Sequence, residues 1–482
     1  MDRSRAGVIE SSVSLPAEMA AGDLGDARLN ARRDRLIEAL ERHPDVSFPE
    51  ACGGDSAAEG LYRFLRNPRV SLDAVIAPHL AATRARCQAL GEVLVIHDTT
   101  EMSFAGEHPR TGLSQQSARR QGFWVHAALA VSAEGLRAPV GLLALQPFVR
   151  TPRAPGIAKP SQPARFLDPA KESRRWVDGV TAVRAGLPPA TAALHLMDRE
   201  GDSYELLALL IGQGDRFVVR LRHDRCVEAE DGALAKLSAA LPRTAPLGER
   251  DVVLSPRRNG DRSPAARQLH PARPGRTATL RFAARRVTLQ RPHALPATHP
   301  ASLAVHVVYG WEVDPPPGEV PVEWRLVTTE PIDTGDQVLQ VVDAYRTRWL
   351  IEEYFKALKT GCAYEQRQLE SLDTLLVALG LLAPIAWQLL LLRHLAREGA
   401  DTPATVVCTG RRLAVLRASP AGATLSSTPT VTDALLAVAR LGGHLRQNGL
   451  PGWLVLTRGM QTLITMEAGW AAARHAERCD QS

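Results

Sequence analysis

The chain has 482 residues, of which 45% are hydrophobic and 23% are charged, and its formal net charge at pH 7 is +6. These values describe a soluble globular protein of two to four domains. The charge favours polyanionic partners only mildly and is too small by itself to indicate nucleic acid.

The cysteines and the apolar segments exclude several other classes. The N-terminal dozen residues lack the apolar stretch of a signal peptide. One apolar segment, Leu375–Leu392, approaches the length of a membrane span, but Pro384 and Gln388 interrupt it, so we interpret it as a buried helix and expect no membrane partner. No CxxC pair occurs, which argues against a zinc site or a disulfide framework and suits a reducing cytosol. The cysteines are Cys52, Cys87, Cys226, Cys362, Cys408 and Cys479.

The first seventy residues form a predicted basic helical module. The stretch "GDLGDARLNARRDRLIEAL" places Arg28, Arg32 and Arg35 at helical spacing. A second helix, "SAAEGLYRFLRNPRVS", should stop before Pro68. Such a module could bind DNA, although an ordinary surface helix has much the same pattern of arginines.

From about Glu92 the pattern becomes α/β. "EVLVIHDTT" predicts a strand that ends at Asp98, and "GFWVHAALAVS" and "APVGLLALQPFV" predict two more. After a helix around "KESRRWVDGVTAVRAG", the strand "AALHLMD" ends at Asp198, and the helix "SYELLALLIG" and the strand "RFVVRLRH" follow.

The alternation then breaks for more than a hundred residues. Between Ser255 and Pro292 there are ten arginines and only Asp261 opposes them, so this stretch carries +9 and the rest of the chain −3. Such a block is usually a solvated loop, although arginine also suits phosphate because its planar fork binds two oxygens.

One continuous helix, "GDQVLQVVDAYRTRWLIEEYFKALKTG", is predicted next. In it Tyr345, Arg348, Glu352 and Lys359 share one stripe, with Trp349 beside them on the polar side. The ordinary interpretation is a solvated face with one stray aromatic residue. The remainder is mostly helical, with a predicted loop or linker near Thr402 to Thr430.

Three carboxylates are candidates for chemistry. Asp98 and Asp198 follow apolar strands, and a carboxylate at that edge of an α/β sheet lies where ligands bind. Glu352 lies on a helix that should pack beside the sheet. Oxygen ligands of this kind can hold two Mg²⁺ ions, which stabilise the attacking and leaving oxygens of phosphodiester displacement. Taken singly, each aspartate is more often a helix or turn cap.

In combination these motifs resemble the insertion-sequence-four family of bacterial cut-and-paste DDE transposases. That family carries Y-(2)-R-(3)-E-(6)-K, the spacing of Tyr345, Arg348, Glu352 and Lys359 here. "HDTTEMSF" and "MDREGDSYELL" resemble its two aspartate motifs, and "AAEGLYRFLRNPRVS", "GFWVHAAL", "KESRRW", "RFVVR" and "ARLGG" resemble other blocks, so the resemblance runs from about residue 20 to 470.

The resemblance implies a fold and a division into domains. An N-terminal helical DNA-binding domain would occupy residues 1–70, and an RNase H-like catalytic core residues 71–369. A mostly β insertion would lie within that core at about residues 224–335. A C-terminal helical dimerisation domain would occupy residues 370–482.

The resemblance also implies roles for individual residues. Asp98, Asp198 and Glu352 would be catalytic and would hold two Mg²⁺ ions, for which Mn²⁺ substitutes. Trp324 would be the stacking wall for a base extruded at a DNA hairpin, with Trp349 its neighbour. The other expected DNA contacts are Tyr345, Arg348, Lys359, Arg220, Arg28, Arg32, Arg35, Tyr62 and Arg63.

The expected partners are double-stranded DNA, as terminal inverted repeats and as target, and a second copy of the chain. No small-molecule substrate is expected, and the expected location is the bacterial cytoplasm, at the nucleoid. Three alternatives remain open: a silent end-binding repressor derived from a transposase, a general metal-dependent nuclease, and a basic structural protein whose carboxylates are all caps.

Overall fold

The protein is described here by a computed structural model. It describes residues 15–106, 108–117, 119–150, 173–228, 232–241, 246–254, 256, 272–399, 401–406, 408–445, 447, 449 and 451–479. These fall into two compact units. The first unit comprises the described parts of Met1–Ile157, Gly179–Ala192 and Trp349–Ser482, and the second those of Ala158–Asp178 and Ala193–Arg348. This division differs from the predicted boundaries at residues 70 and 369, which stay predictions.

The first unit begins with helices, as the sequence predicts. Each of three helices starts at a side chain that accepts a backbone N–H bond, from Asp26 for α2, Ser47 for α3 and Ser71 for α5. Helix α4 ends three residues before Pro68. The helices are α1 (Leu15–Ala20), α2 (Ala27–Arg42), α3 (Phe48–Cys52), α4 (Asp55–Leu65) and α5 (Leu72–Leu90).

An antiparallel group of strands follows in the first unit. Strand β3 pairs with β1 along its whole length and with β2 and β4 on its other edge. Nearly every residue of β3 is buried, which explains its uniformly apolar sequence. The strands are β1 (Glu92–Ala105), β2 (Ser114–Ser117), β3 (Arg120–Ser132) and β4 (Pro139–Phe148), and helix α6 (Arg174–Gly186) comes next in the described chain.

The predicted end of β1 at Asp98 is wrong. The strand continues to Ala105, and Asp98 lies inside it opposite Ala127 of β3. Beyond Asp98, Met102 and Phe104 are both buried, and the Phe104 ring stacks 6.1 Å from that of Phe123. This alternation of buried and outward residues is the pattern of a half-buried strand.

The second unit contains a mixed sheet. Strand β5 (Ala192–Met197) runs parallel to β6 (Arg216–Arg220), and α7 (Tyr204–Gln213) connects them. The remaining pairings are antiparallel, in the order β6-β12-β11-β10-β7-β8, with β9 also on β10. The insertion at about residues 224–335 stays a prediction, and the described part of that range is mostly β. Its elements are β7 (Cys226–Glu228), β8 (Leu234–Lys236), α8 (Leu237–Ala240), β9 (Gly248–Leu254), β10 (Arg276–Gln290), β11 (Ser302–Glu312) and β12 (Glu323–Thr328).

Part of the arginine-rich stretch can be located. Six of its arginines are described, and three of these make ion pairs, Arg276 with Glu312, Arg281 with Glu249 and Arg286 with Asp333. Hence at least part of the block is structured sheet surface rather than a loop. Arg257, Arg258, Arg262 and Arg267 lie outside the described residues.

The predicted continuous helix is interrupted. Helix α9 (Gly335–Thr347) ends in a tight turn at Arg348 and Trp349, α10 (Leu350–Lys356) follows, and a π-helical turn closes the segment at Ala357–Gly361. The Thr347 hydroxyl donates to the Asp343 carbonyl at 3.1 Å, a back-bond that bends helices.

The rest of the first unit is helical. Helix α11 is, within the described residues, the one helix long and apolar enough to cross a membrane, but its apolar stretch is mostly buried against α5 and β4. That burial matches the core helix expected from the sequence. The linker predicted near Thr402 to Thr430 instead contains α12, which Thr409 caps. The helices are α11 (Leu372–Glu398), α12 (Gly410–Ala418), α13 (Val431–Leu441) and α14 (Trp453–Cys479).

Candidate active site and nucleic-acid interface

Asp98 lies half-buried in the middle of β1, and its carboxylate accepts the Thr99 backbone N–H at 2.7 Å. Its neighbour His97 points to the opposite face of the strand and is fully buried. There the His97 ring stacks on that of His126 at 5.8 Å, and His126 Nδ1 lies 2.9 Å from the Thr99 hydroxyl. The packed face therefore fixes the orientation of Asp98 on the other face.

Glu352 is half-buried on α10, which packs against β1 in the first unit. Ile351, Tyr354 and Phe355 form the buried face of this helix. The adjacent Glu353 makes ion pairs with Arg393 and, at 3.7 Å, with Arg397 of α11. Glu353 therefore helps to anchor α10 to the long core helix, as does the Tyr354 hydroxyl, which donates to the Ala383 carbonyl at 3.5 Å.

Lys359 holds the end of the motif segment against β1. Its ammonium donates to the Glu101 carbonyl and lies 3.4 Å from the Glu365 carboxylate. Glu365 in turn accepts the Ser103 backbone N–H at 2.9 Å. Lys359 is thus attached to the strand that carries Asp98, three residues beyond it. Sequence reasoning did not identify Glu365, which stands in no motif that it used.

Asp198, in the second unit, directly follows β5, as predicted. It is the N-cap of the 3₁₀ turn Arg199–Gly201, and its carboxylate accepts the Glu200 N–H at 2.8 Å. Asp198 therefore does act as a cap, which is the commonest role of an aspartate at the end of a strand. A capping carboxylate still has oxygen lone pairs for other ligands, so the cap does not exclude a functional role.

Asp198 shares an electrostatic neighbourhood with the first two residues of the motif. Burial raises the pKa of Tyr345, Asp198 raises it further, and the positive charges of Arg348 and Arg220 oppose this shift. Burial also lowers the pKa of Arg220, which hydrogen-bonds to Tyr345. All four residues belong to the second unit, and the charges of Asp198, Arg220 and Arg348 act on Tyr345.

Trp324 is buried in this unit rather than open to a ligand. Only 9% of it is exposed. Its ring lies 5.6 Å from that of Tyr345 and 6.1 Å from that of Phe282, and the Arg220 guanidinium lies 5.9 Å from its centre. This is the environment of a strand-core tryptophan, and the role of Trp324 as a stacking wall stays a prediction. Trp349, in the first unit, is 52% exposed.

The basic helical module presents most of its predicted DNA contacts to solvent. Arg28 and Arg35 are exposed on α2, and Arg63 is exposed on α4, where it lies 3.7 Å from Glu59. Tyr62 is half-buried. Arg32 is half-buried because its guanidinium rests on Gly60 of α4, where a Cβ would come within 1.4 Å of it.

The acidic residues are distributed over both units. Asp98 and Glu352 belong to the first unit and Asp198 to the second. Among the residues that the structure describes, no group of three or more His, Cys, Asp or Glu side chains is arranged to hold a metal ion. The chemistry of the three carboxylates suits Mg²⁺, which prefers hard oxygen ligands. Their joint metal site stays a prediction.

Comparison with known proteins identifies two segments. Residues 14–70 match a family model described as transposase DNA-binding, and residues 173–387 match one described as transposase DDE domain. The second match includes Asp198 and the whole motif segment from Tyr345 to Lys359, whereas Asp98 lies outside it.

One solved structure is also similar in part. The cryo-EM structure of a piggyBac transposase synaptic complex with hairpin DNA is 9% identical, with a TM-score of 0.32, over 92% of this chain and 71% of that chain. The family matches carry the conclusion: the chain has a transposase DNA-binding segment and a DDE transposase segment, which together support a DNA transposase with DNA as its partner.

Proposed function

We propose that the protein is a cut-and-paste transposase of the insertion-sequence-four family with an RNase H-like core. In this proposal a homodimer binds two transposon ends, nicks a strand at each, forms and reopens a hairpin, and joins the ends to target DNA. The reaction would take place in the bacterial cytoplasm, at the nucleoid.

One observation carries the proposal: the motif segment contributes to both acidic neighbourhoods. In the second unit, the charges of Asp198 and Arg348 both act on the pKa of Tyr345. Four residues after Arg348, Glu352 lies on a helix packed against β1, and Lys359 is attached to that strand in the first unit. If the motif residues formed only a solvated helix face, neither the electrostatic effect of Asp198 on Tyr345 nor the attachment of Lys359 to β1 would be expected.

The residues of the chain have separable roles in this mechanism. Asp98, Asp198 and Glu352 would hold two Mg²⁺ ions, or Mn²⁺ in their place. When bound, such ions stabilise charge on the attacking and leaving oxygens. Arg220 and Arg348 would position the phosphodiester, because guanidinium groups bind phosphate oxygens in pairs. Arg28, Arg32, Arg35, Tyr62 and Arg63 would bind the terminal repeat, mainly through its backbone.

The test is incubation with duplex DNA that carries the terminal repeats of the element, with and without Mg²⁺. We expect nicks at the repeat boundary followed by hairpin-ended products, only with the metal. Asp98→Asn should bind the same DNA and leave it uncut.

Each alternative predicts a different result. Binding without any nicking by the unaltered protein would indicate an end-binding repressor. Nicks in DNA of any sequence would indicate a general nuclease. Unchanged activity of Asp98→Asn would mean that this carboxylate is only structural.

A further inference from the structure

A cavity of about 1050 Å³ opens in the second unit beside the Asp198 turn. Three segments surround it: the turn that begins at Arg199, the loop that leaves β6 at Leu221, and the loop around Pro292. Its volume is at the upper end of the range for ligand sites. None of the roles proposed above uses this cavity.

Cationic side chains outnumber acidic ones in the cavity lining by five to four: Arg199, Arg222, Arg225, Lys236 and Arg291 against Glu200, Asp202, Glu205 and Asp224. Glu200 bonds Arg175 at 2.6 Å, and Asp224 accepts the Ser238 hydroxyl at 2.7 Å and faces Arg325 at 3.7 Å. Arg199 and Arg222 also line the cavity, and neither makes an ion pair within the described part of the chain. Their guanidinium groups are therefore available to an anion.

Asp202 fixes this arrangement. Its side chain is completely buried, and one carboxylate oxygen accepts the backbone N–H groups of Arg222 at 2.7 Å and His223 at 2.9 Å. The other oxygen bonds the buried Arg225 guanidinium. One carboxylate thus ties the loop that carries Arg222 and His223 to the turn that carries Arg199. This pre-organisation reduces the ordering cost of binding a ligand.

Apolar side chains complete the lining. Leu234 is 72% exposed, and Pro292 and Leu295 line the cavity with it. Cations beside an apolar surface suit a ligand with phosphate groups and a sugar or base, as in grooves that bind single nucleic-acid strands.

We propose that this cavity binds a segment of DNA strand and directs it to Asp198. Arg199 and Arg222 would contact its phosphates, with His223 beside them, and the apolar side chains would contact its sugars or bases. We infer a strand rather than a free nucleotide because Arg199 is the residue next to Asp198, so a bound phosphodiester continues toward that carboxylate. The inference rests on the proposed function and adds a substrate subsite to it.

Cys226 provides a natural reporter because it is exposed and lines the cavity. Burial raises the pKa of Cys87 and Cys362 to about 12 and that of Cys408 to about 11, so these thiols should react slowly. The unaltered protein is treated with N-ethylmaleimide, and labelling is measured peptide by peptide. DNA at ten times its dissociation constant should slow labelling of Cys226 roughly tenfold. Inorganic phosphate and a mononucleotide should not slow it.

A charge-neutralising variant supplies the second measurement. Arg222→Gln should lower the slope of log affinity against log salt by about one phosphate contact. The matched control is Arg281→Gln, which removes the same charge from an exposed residue that does not line the cavity. It should leave the slope unchanged.

The outcomes separate this inference from the proposed function. Cys226 labelling that DNA does not slow, equal protection by phosphate or a mononucleotide, or equal slopes for the two variants would each overturn the cavity assignment. DNA cleavage in the same preparations reports on the transposase activity. Cleavage with an unprotected Cys226 would overturn the subsite alone, and protection without cleavage would overturn the proposed activity.

Discussion

The residues predicted to form one active site have different surroundings in the two units. In the first unit Asp98 and Glu352 are half-buried carboxylates, and Lys359 is already paired with Glu365. In the second unit Tyr345 is buried, and the charges of Asp198, Arg220 and Arg348 all act on the pKa of its hydroxyl. The two units therefore differ in the charges near these residues: carboxylates predominate in the first, and arginines beside a buried tyrosine predominate in the second.

Each unit also contains a buried carboxylate that joins two segments of the chain, and the two carboxylates differ in what they join. In the first unit the buried Glu18 bonds both His79 and Arg86, which joins α1 to α5. In the second, the buried Asp202 joins a turn to a loop beside Asp198. The first cluster lies within a helical scaffold, whereas the second lies beside a candidate catalytic carboxylate. Substitutions in the Glu18 cluster should therefore alter stability alone. Substitutions in the Asp202 cluster should alter both stability and DNA binding.

The largest effect should come from Glu352→Ala. If Glu352 holds a metal ion as proposed, its loss should slow DNA cleavage by about a thousandfold, which corresponds to several kcal/mol. Binding to the terminal repeat should remain, because the basic module is unchanged. The adjacent Glu353→Ala is the control, since it removes the ion pairs with Arg393 and Arg397 instead. That variant should unfold more easily and still cleave; equal loss of cleavage in both would refute the assignment of Glu352.

Asp202→Ala should have the next largest effect. It leaves the Arg225 guanidinium buried without its partner, which costs about 3–5 kcal/mol in the free energy of unfolding. Urea unfolding monitored by circular dichroism measures this cost. Asp202→Asn keeps an acceptor oxygen and should lose less. If the alanine and asparagine variants are equally stable, the carboxylate does not hold the loop as inferred.

Substitution of Trp324 and substitution of Trp349 should affect different properties of the protein. Trp324→Ala should lower the free energy of unfolding by about 3–5 kcal/mol, because it empties a buried space between Phe282 and Tyr345. Trp349→Ala should leave stability nearly unchanged. If Trp349 stacks on an extruded base, its removal should cost about 1–3 kcal/mol in hairpin formation and spare the first nick. Normal hairpin yield from Trp349→Ala would remove that role.

How far the sequence predicts this molecule depends on whether the deciding signal is local. Apolar periodicity identified strands such as β3 and β5 and helices such as α7 and α11, because burial imposes it on consecutive residues. It did not identify β7 to β12 or α12. The end of β1 was missed although Met102 and Phe104 continue its alternation, since Asp98 was taken as a stop. The break at Arg348 and Trp349 was missed because no proline or glycine marks it in the sequence.

The residues of the candidate site, too, could be predicted only where the signal is local in the sequence. Strand pattern and motif spacing made Asp198 and the motif residues candidates, but they could not distinguish the buried Trp324 from the exposed Trp349, because exposure depends on which strands and helices pack together. They also could not identify Glu365 or the bonds of Asp202, whose partners lie on other segments of the chain.

A pH effect of about 1 kcal/mol should come from His79. Its Nε2 accepts the Leu142 N–H at 3.1 Å and its Nδ1 faces Glu18, so the buried ring is neutral. Burial lowers the pKa of His79, against the opposing effect of Glu18, and the Arg86 charge lowers it further. The unfolded chain therefore binds a proton first as pH falls below about 6.5, and stability should decline there.

Urea midpoints at pH 7.5 and 5.5 measure this effect. His79→Gln removes the titrating group, so its midpoint should change less between the two pH values than that of the unaltered protein. An equal change in both would assign the pH dependence to other groups.

The smallest effect should come from Glu365→Gln. The amide keeps an oxygen for the Ser103 N–H but loses the ion pair with Lys359, whose net value in such a half-exposed pair is about 0.2–1 kcal/mol. Stability should therefore barely change. The freed ammonium would gain mobility, so the rate of DNA cleavage at saturating DNA should fall severalfold while the dissociation constant stays constant. Lys359→Ala should lower the rate further, and adding Glu365→Gln to it should have no additional effect, because both substitutions act on the same contact. Additive losses in the double variant would mean that Glu365 acts independently of Lys359.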